Sequence, residues 1–291
     1  MKTAEHFLAV QNEMGETPIW TPEEQALYWV DIPQHTIYRY DPKRGTTESF
    51  QPELPVRGLT RRTGGGWLLI TDAGLGFWNQ HTNSCEFLND PCAEISDCQL
   101  NDGVIDRQGR LLVGSYNPAT LDAADGALYR LNTDRSLREL DASLVLSNGM
   151  GLSPDGKTLY VVEMFAHKIT AYDYESETGS VSKRRTFAEI PKNAGMPDGL
   201  TVDSEGGVWT AHWGGWQVTR HTPDGTLERT IQVPAEIVTS IGFGGPEMTE
   251  LYITTAWYSL TEEQRAEQPL AGDLFRVKTD VTGIAEPGFT G

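Results

Sequence analysis

The chain has 291 residues, with 23 Lys and Arg against 41 Asp and Glu, for a formal net charge of −18 at pH 7. Hydrophobic residues make up 38%, and no apolar run approaches the roughly 18–20 residues that a membrane helix needs. A surface this acidic repels phosphate backbones and anionic headgroups, so neither nucleic acid nor a membrane is expected as a partner.

In chain order, the opening MKTAEHFLAVQNEMGETP offers one Lys and a four-residue apolar stretch, so no secretory leader is expected. HFLAV at 6–10 reads as a short strand ahead of everything else. One theme then recurs: a small or polar residue, an apolar residue, a turn, and a short apolar strand. It reads ETPIWTPEEQALYWVD from Glu16, RGLTRRTGGGWLLITD from Arg57 and NDGVIDRQGRLLVGS from Asn101. It returns as NGMGLSPDGKTLYVVE from Asn148, DGLTVDSEGGVWTAH from Asp198 and SIGFGGPEMTELYITT from Ser240. Tyr28, Leu68, Leu112, Tyr160, Trp209 and Tyr252 fall in register, 40 to 49 residues apart.

A second run follows each of these: TIYRY at 36–40, GFW at 76–78, LYRL at 128–131, ITAY at 169–172, VTRH at 218–221 and LFRV at 274–277. Alternating runs closed by turn residues are the signature of strands and hairpins. Thirty Gly and sixteen Pro suit many tight turns, and only TEEQRAEQ at 261–268 reads as a helical turn or two. Strand groups recurring about every 45 residues predict an all-β, six-bladed β-propeller with four-stranded blades. Residues 1–291 then form one propeller domain, with the 6–10 strand completing the last blade and closing the ring. Cys85, Cys92 and Cys98 are odd in number and include no CxxC pair, so no disulfide framework is expected and a reducing cytoplasm is the simplest compartment.

Function has to come from positions where the repeats differ. Glu16, Arg57, Asn101, Asn148, Asp198 and Ser240 open the six repeats, 11 or 12 residues before the aligned strand position, and should meet at one channel mouth. A single Asn-Gly or Asp-Gly reads first as a turn, as Asp155-Gly156 and Asp224-Gly225 do. Four matched carboxylates and carboxamides on one axis read instead as a site. Two buried carboxylates facing each other repel unless a cation lies between them. Oxygen donors without Cys or an obligatory His suit a hard divalent ion.

GETPIW at 15–20, NDGVID at 101–106, SNGMGLSPDG at 147–156, PDGLTVD at 197–203 and AHWGGW at 211–216 resemble the senescence marker protein 30/gluconolactonase/luciferin-regenerating-enzyme-like family. The resemblance spans almost the whole chain. It implies a six-bladed propeller that hydrolyses sugar aldonolactones with one divalent metal ion, whether Ca, Zn, Mn, Mg or Fe. Carried over by motif, the metal ligands are Glu16, Asn148 and Asp198, with Asp198 also the general base and Asn101 touching substrate at the metal's edge. The family often has Arg where this chain has Gln99, and an acidic residue near the SYNPAT run at 115–120. Both positions contact sugar hydroxyls in better-known members. Gln99 and Tyr116 are therefore candidate substrate contacts, as is Arg57, which could supply the missing charge from the neighbouring repeat. Trp213, and less directly Trp216, are candidate stacking platforms, and His212 lies beside them.

Two further readings stay open. The same site could serve aryl or organophosphate esters, or the propeller could bind calcium or act as a scaffold without catalysis. A WD40-type scaffold is disfavoured because no Trp-Asp dipeptide occurs. The partner implied is a small-molecule sugar lactone, and the sequence leaves the oligomeric state open.

Overall fold

The computed structural model describes residues 2–291 and holds six antiparallel sheets arranged as a six-bladed β-propeller. The innermost strands are Gly15–Thr21, Val56–Arg61, Gln99–Ile105, Ser147–Leu152, Met196–Val202 and Ile237–Gly244, which begin blades 1 to 6. Each is followed outward by a second, third and fourth strand. Second strands such as Ala26–Asp31 are buried along their whole length, because neighbouring blades cover both faces. This is why they read as unbroken apolar runs. The six residues aligned from the sequence all lie in second strands and are buried. Fourth strands such as Thr46–Phe50 face solvent and are polar.

The ring closes through the N-terminus, slightly earlier than the 6–10 run suggests. Glu5–Leu8 pairs antiparallel with Leu274–Lys278 as the outer strand of blade 6. Ahead of it, Lys2–Thr3 pairs parallel with Leu227–Gln232 and adds a fifth strand to blade 5. The chain start thus bridges two blades. The helical segment is Glu262–Glu267, held by a capping box in which Thr261 and Gln264 exchange side-chain and backbone hydrogen bonds.

The C-terminal segment has a role that the repeats do not reveal. It runs over the channel end away from the repeat-opening residues, bonding Thr282 to Ser204, Gly283 to Met248, Phe289 to both Arg61 and Thr63, and Thr290 to Gly109. Phe289 is fully buried in the cluster shared by blades 2 and 3. The expectation of unpaired cysteines is corrected in part. Cys92 and Cys98 form a disulfide, while Cys85 is free. The turns at 90–95 fold the connection back on itself and leave the two Cα atoms 5.3 Å apart, within bonding reach. Among the described residues no helix is long and apolar enough to cross a membrane.

Candidate functional site

All six innermost strands break their ladder near the same end. Pairing with the second strand shifts between Glu16 and Ile19, Val56 and Gly58, Leu100 and Gly103, Ser147 and Met150, Pro197 and Leu200, and Val238 and Ser240. In each case the inner strand carries one extra residue, which is a β-bulge. A bulge redirects side chains that regular alternation would send into the blade interfaces. Arg57, Asn101, Asn148 and Asp198 lie inside these bulges, and Glu16 is the last paired residue before its own. In blade 1 the next residue, Thr17, is held at φ +50°, a costly value for a β-branched residue. Its N–H donates to Glu16 Oε2 at 3.0 Å.

The glycines that follow Asn148 and Asp198 have a purpose other than turning. Asp155-Gly156 and Asp224-Gly225 do sit in turns with positive φ, whereas Gly149 and Gly199 lie within strands. A Cβ on Gly149 would come within 2.2 Å of the Leu200 nitrogen, and one on Gly199 within 2.3 Å of Ser240 Oγ. Adjacent inner strands therefore approach closely at the depth of the ring.

Glu16, Asn148 and Asp198 are buried at the base of one cavity of about 610 Å³, which Arg57, Asn101, Tyr116 and Trp213 also line. Asn148 Nδ2 hydrogen-bonds Asp198 Oδ1 directly. Asn101 Nδ2 donates to the Ser147 carbonyl at 3.0 Å, leaving its own side-chain oxygen free. Ser240 opens the sixth repeat in the sequence, but the residue in the sixth bulge is Thr239, whose hydroxyl donates to the Gly15 carbonyl. Ser240 instead resumes the ladder opposite Thr254.

Asp102 carries no signal in the repeat pattern, though it stands beside Asn101. It faces a narrow part of the channel, together with Ser240 and Glu286 from the C-terminal segment. Burial, then the charge of Asp102, pushes the Glu16 carboxyl up to about 8. Burial raises Asp102 to about 6, and burial with the charges of Glu16 and Asp102 raises Asp198 well above the ordinary carboxylate range. Oxygen donors whose charges are suppressed by burial and mutual repulsion fit a hard divalent cation, which would relieve both. Among the described residues no group of three His, Cys, Asp or Glu side chains could hold a metal ion, and the trio here includes an Asn.

These raised carboxyls have a measurable consequence. A carboxyl raised in the folded state binds protons that the unfolded chain has released, so the metal-free protein loses stability as pH rises towards the folded value. His212 and His221, lowered by burial, act in the opposite direction but only below about pH 6.5. Between pH 6.5 and 8 the chelated protein should therefore melt at progressively lower temperature. Each tenfold gain in a carboxyl's proton affinity on folding is worth about 1.4 kcal/mol, and added divalent cation should flatten the trend. Melting curves across that window check this, and a flat profile in chelator would refute it.

At the rim, Arg57 Nη1 donates to Asp72 Oδ1 at 3.0 Å and Nη2 to the Tyr116 hydroxyl at 3.2 Å. Gln99 Nε2 donates to Asp72 Oδ1 and Gln99 Oε1 accepts from the Tyr116 hydroxyl, both at 2.6 Å. Gln99, expected to touch substrate, does not line the cavity and instead fixes Asp72 and Tyr116 from outside it. Asp72 lines the cavity without being anticipated, since nothing in the repeat marks the residue that follows a second strand. Arg57 keeps a buried Nε–H without a partner. His212 belongs to the core, bound by its ring nitrogens to the Ala194 carbonyl and Thr219 hydroxyl. Trp216 is exposed and does not line the cavity.

Comparison with known proteins bears on this geometry. The SMP-30/Gluconolactonase/LRE-like region matches residues 14–257. The chain is 36% identical to the pentonolactonase XacC of Haloferax volcanii, over 94% of this chain and 93% of that protein. It is 34% identical to the regucalcin of Danio rerio, over 97% and 96% of the two chains. A solved luciferin-regenerating enzyme superposes with a TM-score of 0.89 at 26% identity, covering 97% of this chain and 96% of that one.

Proposed function

The chain belongs to the SMP-30/gluconolactonase/LRE-like family, and from that premise we propose that it hydrolyses a sugar aldonolactone to the aldonic acid in a divalent-metal-dependent reaction. The observation that carries this reading is the meeting of Glu16, Asn148 and Asp198 at the base of one open cavity. These three would hold the cation, which when bound would polarise the lactone carbonyl and stabilise the negative charge developing on its oxygen.

The protein's own residues do the rest. Asp198 takes a proton from the attacking water, as a positioned carboxylate can. The water oxygen bonds to the carbonyl carbon, the ring C–O bond breaks, and the ring oxygen takes the proton back from Asp198 to leave as a hydroxyl. Asn101 directs its free side-chain oxygen at a substrate hydroxyl. Arg57 and Tyr116, locked to each other and to Asp72, form a rigid edge against which the substrate is oriented. Preorganisation of this kind limits the ordering cost of binding. Trp213 offers a ring face to the sugar's C–H surface.

The test is proton release from a panel of aldonolactones, measured with the purified protein before and after chelation. Turnover that chelator abolishes and divalent cation restores is the expected result. Inactivity on every lactone would leave an aryl or organophosphate esterase, or a cation-binding propeller without turnover, and the same assay with ester substrates separates those two. Full lactonase activity in excess chelator would refute the metal requirement alone.

A further inference from the structure

One stretch of the cavity wall is apolar without interruption, while the rest mixes polar and apolar side chains. Blades 2 and 3 supply Arg57, Asp72, Asn101 and Tyr116, with Pro118 and Leu121 beside them; blade 1 mixes Glu16 and His35 with apolar side chains, and blade 6 adds the hydroxyls of Tyr258 and Ser259. Blades 4 and 5, with the strand connections that lead into them, supply Leu146, Met164, Phe165, Met196 and Trp213. On that side the Trp213 indole is the one side-chain donor outside the ring of Asn148 and Asp198. The apolar wall also reaches the reacting centre, because Met164 Sδ lies 3.5 Å from Asn148 Nδ2. A substrate hydroxylated all round would turn a hydroxyl onto thioether, leucine and phenylalanine side chains, and a buried hydroxyl without a partner is costly.

Resting on the lactonase reading, we propose that the preferred substrates are deoxy-sugar lactones, with hydroxyls along the edge facing blades 2 and 3 and an alkyl substituent against blades 4 and 5. A methyl group gains from the apolar wall, whereas the corresponding hydroxymethyl leaves its oxygen unpaired there. Discrimination by one hydroxyl in an apolar pocket reaches about 10- to 100-fold, so the effect is large enough to measure.

Two matched lactones make the test: L-rhamnono-1,4-lactone and L-mannono-1,4-lactone, which differ only in the hydroxyl at C6. The wild-type protein should show kcat/KM at least about tenfold higher for the deoxy compound. Phe165→Tyr adds a single hydroxyl to the apolar wall, and Met196→Gln adds a donor and an acceptor at nearly constant volume. Each should shrink that ratio several-fold, chiefly by improving the hydroxymethyl lactone. Equal rates, or a preference for the hydroxymethyl lactone, would overturn the proposal while leaving lactonase activity in place. Faster opening of γ-valerolactone than of either sugar lactone would also overturn it, since the polar edge would then contribute nothing. No turnover of any lactone would instead defeat the lactonase reading, and this proposal with it.

Discussion

Asp198→Asn should lower kcat by roughly two to four orders of magnitude at saturating divalent cation, the usual contribution of a positioned base. The substitution keeps the shape of the side chain and one oxygen for ligation, and it removes the basic carboxylate. Asp198 is buried and hydrogen-bonded to Asn148, which fixes its carboxylate in the ring. Asn148→Ala supplies the contrast, because a carboxamide has no useful basicity. That variant should bind cation more weakly and recover much of its activity when the cation is raised. Titrating activity against cation for both variants separates the two roles. Full recovery of Asp198→Asn at saturation would mean that Asp198 only ligates and that the proton leaves by another route.

Gly149→Ala should lower kcat/KM about 100-fold or more, although the new methyl touches no substrate. The added carbon would sit 2.2 Å from the Leu200 nitrogen and 2.7 Å from the Asp198 carbonyl oxygen, both backbone atoms of the next inner strand. Backbone cannot rotate away as a side-chain tip can, so the two strands must separate. Asn148 and Asp198 would move apart with them. Overpacking costs about 1–3 kcal/mol, and a displacement of about 1 Å in a catalytic group can cost about 100-fold in rate. Gly156→Ala is the control: its φ is +70°, yet the nearest atom to a new Cβ is 3.6 Å away. It should lose about 1–2 kcal/mol of stability from left-handed strain and keep wild-type kinetics. Wild-type kinetics in Gly149→Ala would show that the ring tolerates strand separation.

The site was only partly legible in the sequence. Glu16, Asn148 and Asp198 emerged because one repeat position departs from the core pattern in a chemically consistent way, and they share a cavity. Trp213, Tyr116 and Arg57 also line that cavity. Asp72 did not emerge, because its place depends on where blade 2 meets blade 3 and not on any repeated position. Gln99 was expected among substrate contacts, but its hydrogen bonds to Asp72 and Tyr116 direct it behind the wall. Ser240 opens the sixth repeat in the sequence, yet Thr239 occupies that blade's bulge, since a one-residue register shift leaves no trace in a composition pattern.

Period and patterning determined the propeller. A second strand buried on both faces must be apolar throughout, a fourth strand facing solvent need not be, and six such units in series leave few other arrangements. The sequence likewise determined which residue types meet at the channel mouth, because each stands at nearly the same offset from its blade's core. Only the tertiary structure decided the rest. It set the bulges that turn those residues into the channel, the close strand contacts that require Gly149 and Gly199, and the Cys92–Cys98 pairing. It also decided the path of the C-terminal segment across blades 2, 3, 5 and 6, and the apolar stretch of cavity wall in blades 4 and 5. The physical reason is common to nearly all of these: each depends on contacts between residues that the repeat does not relate, and local periodicity carries no information about which surfaces will touch.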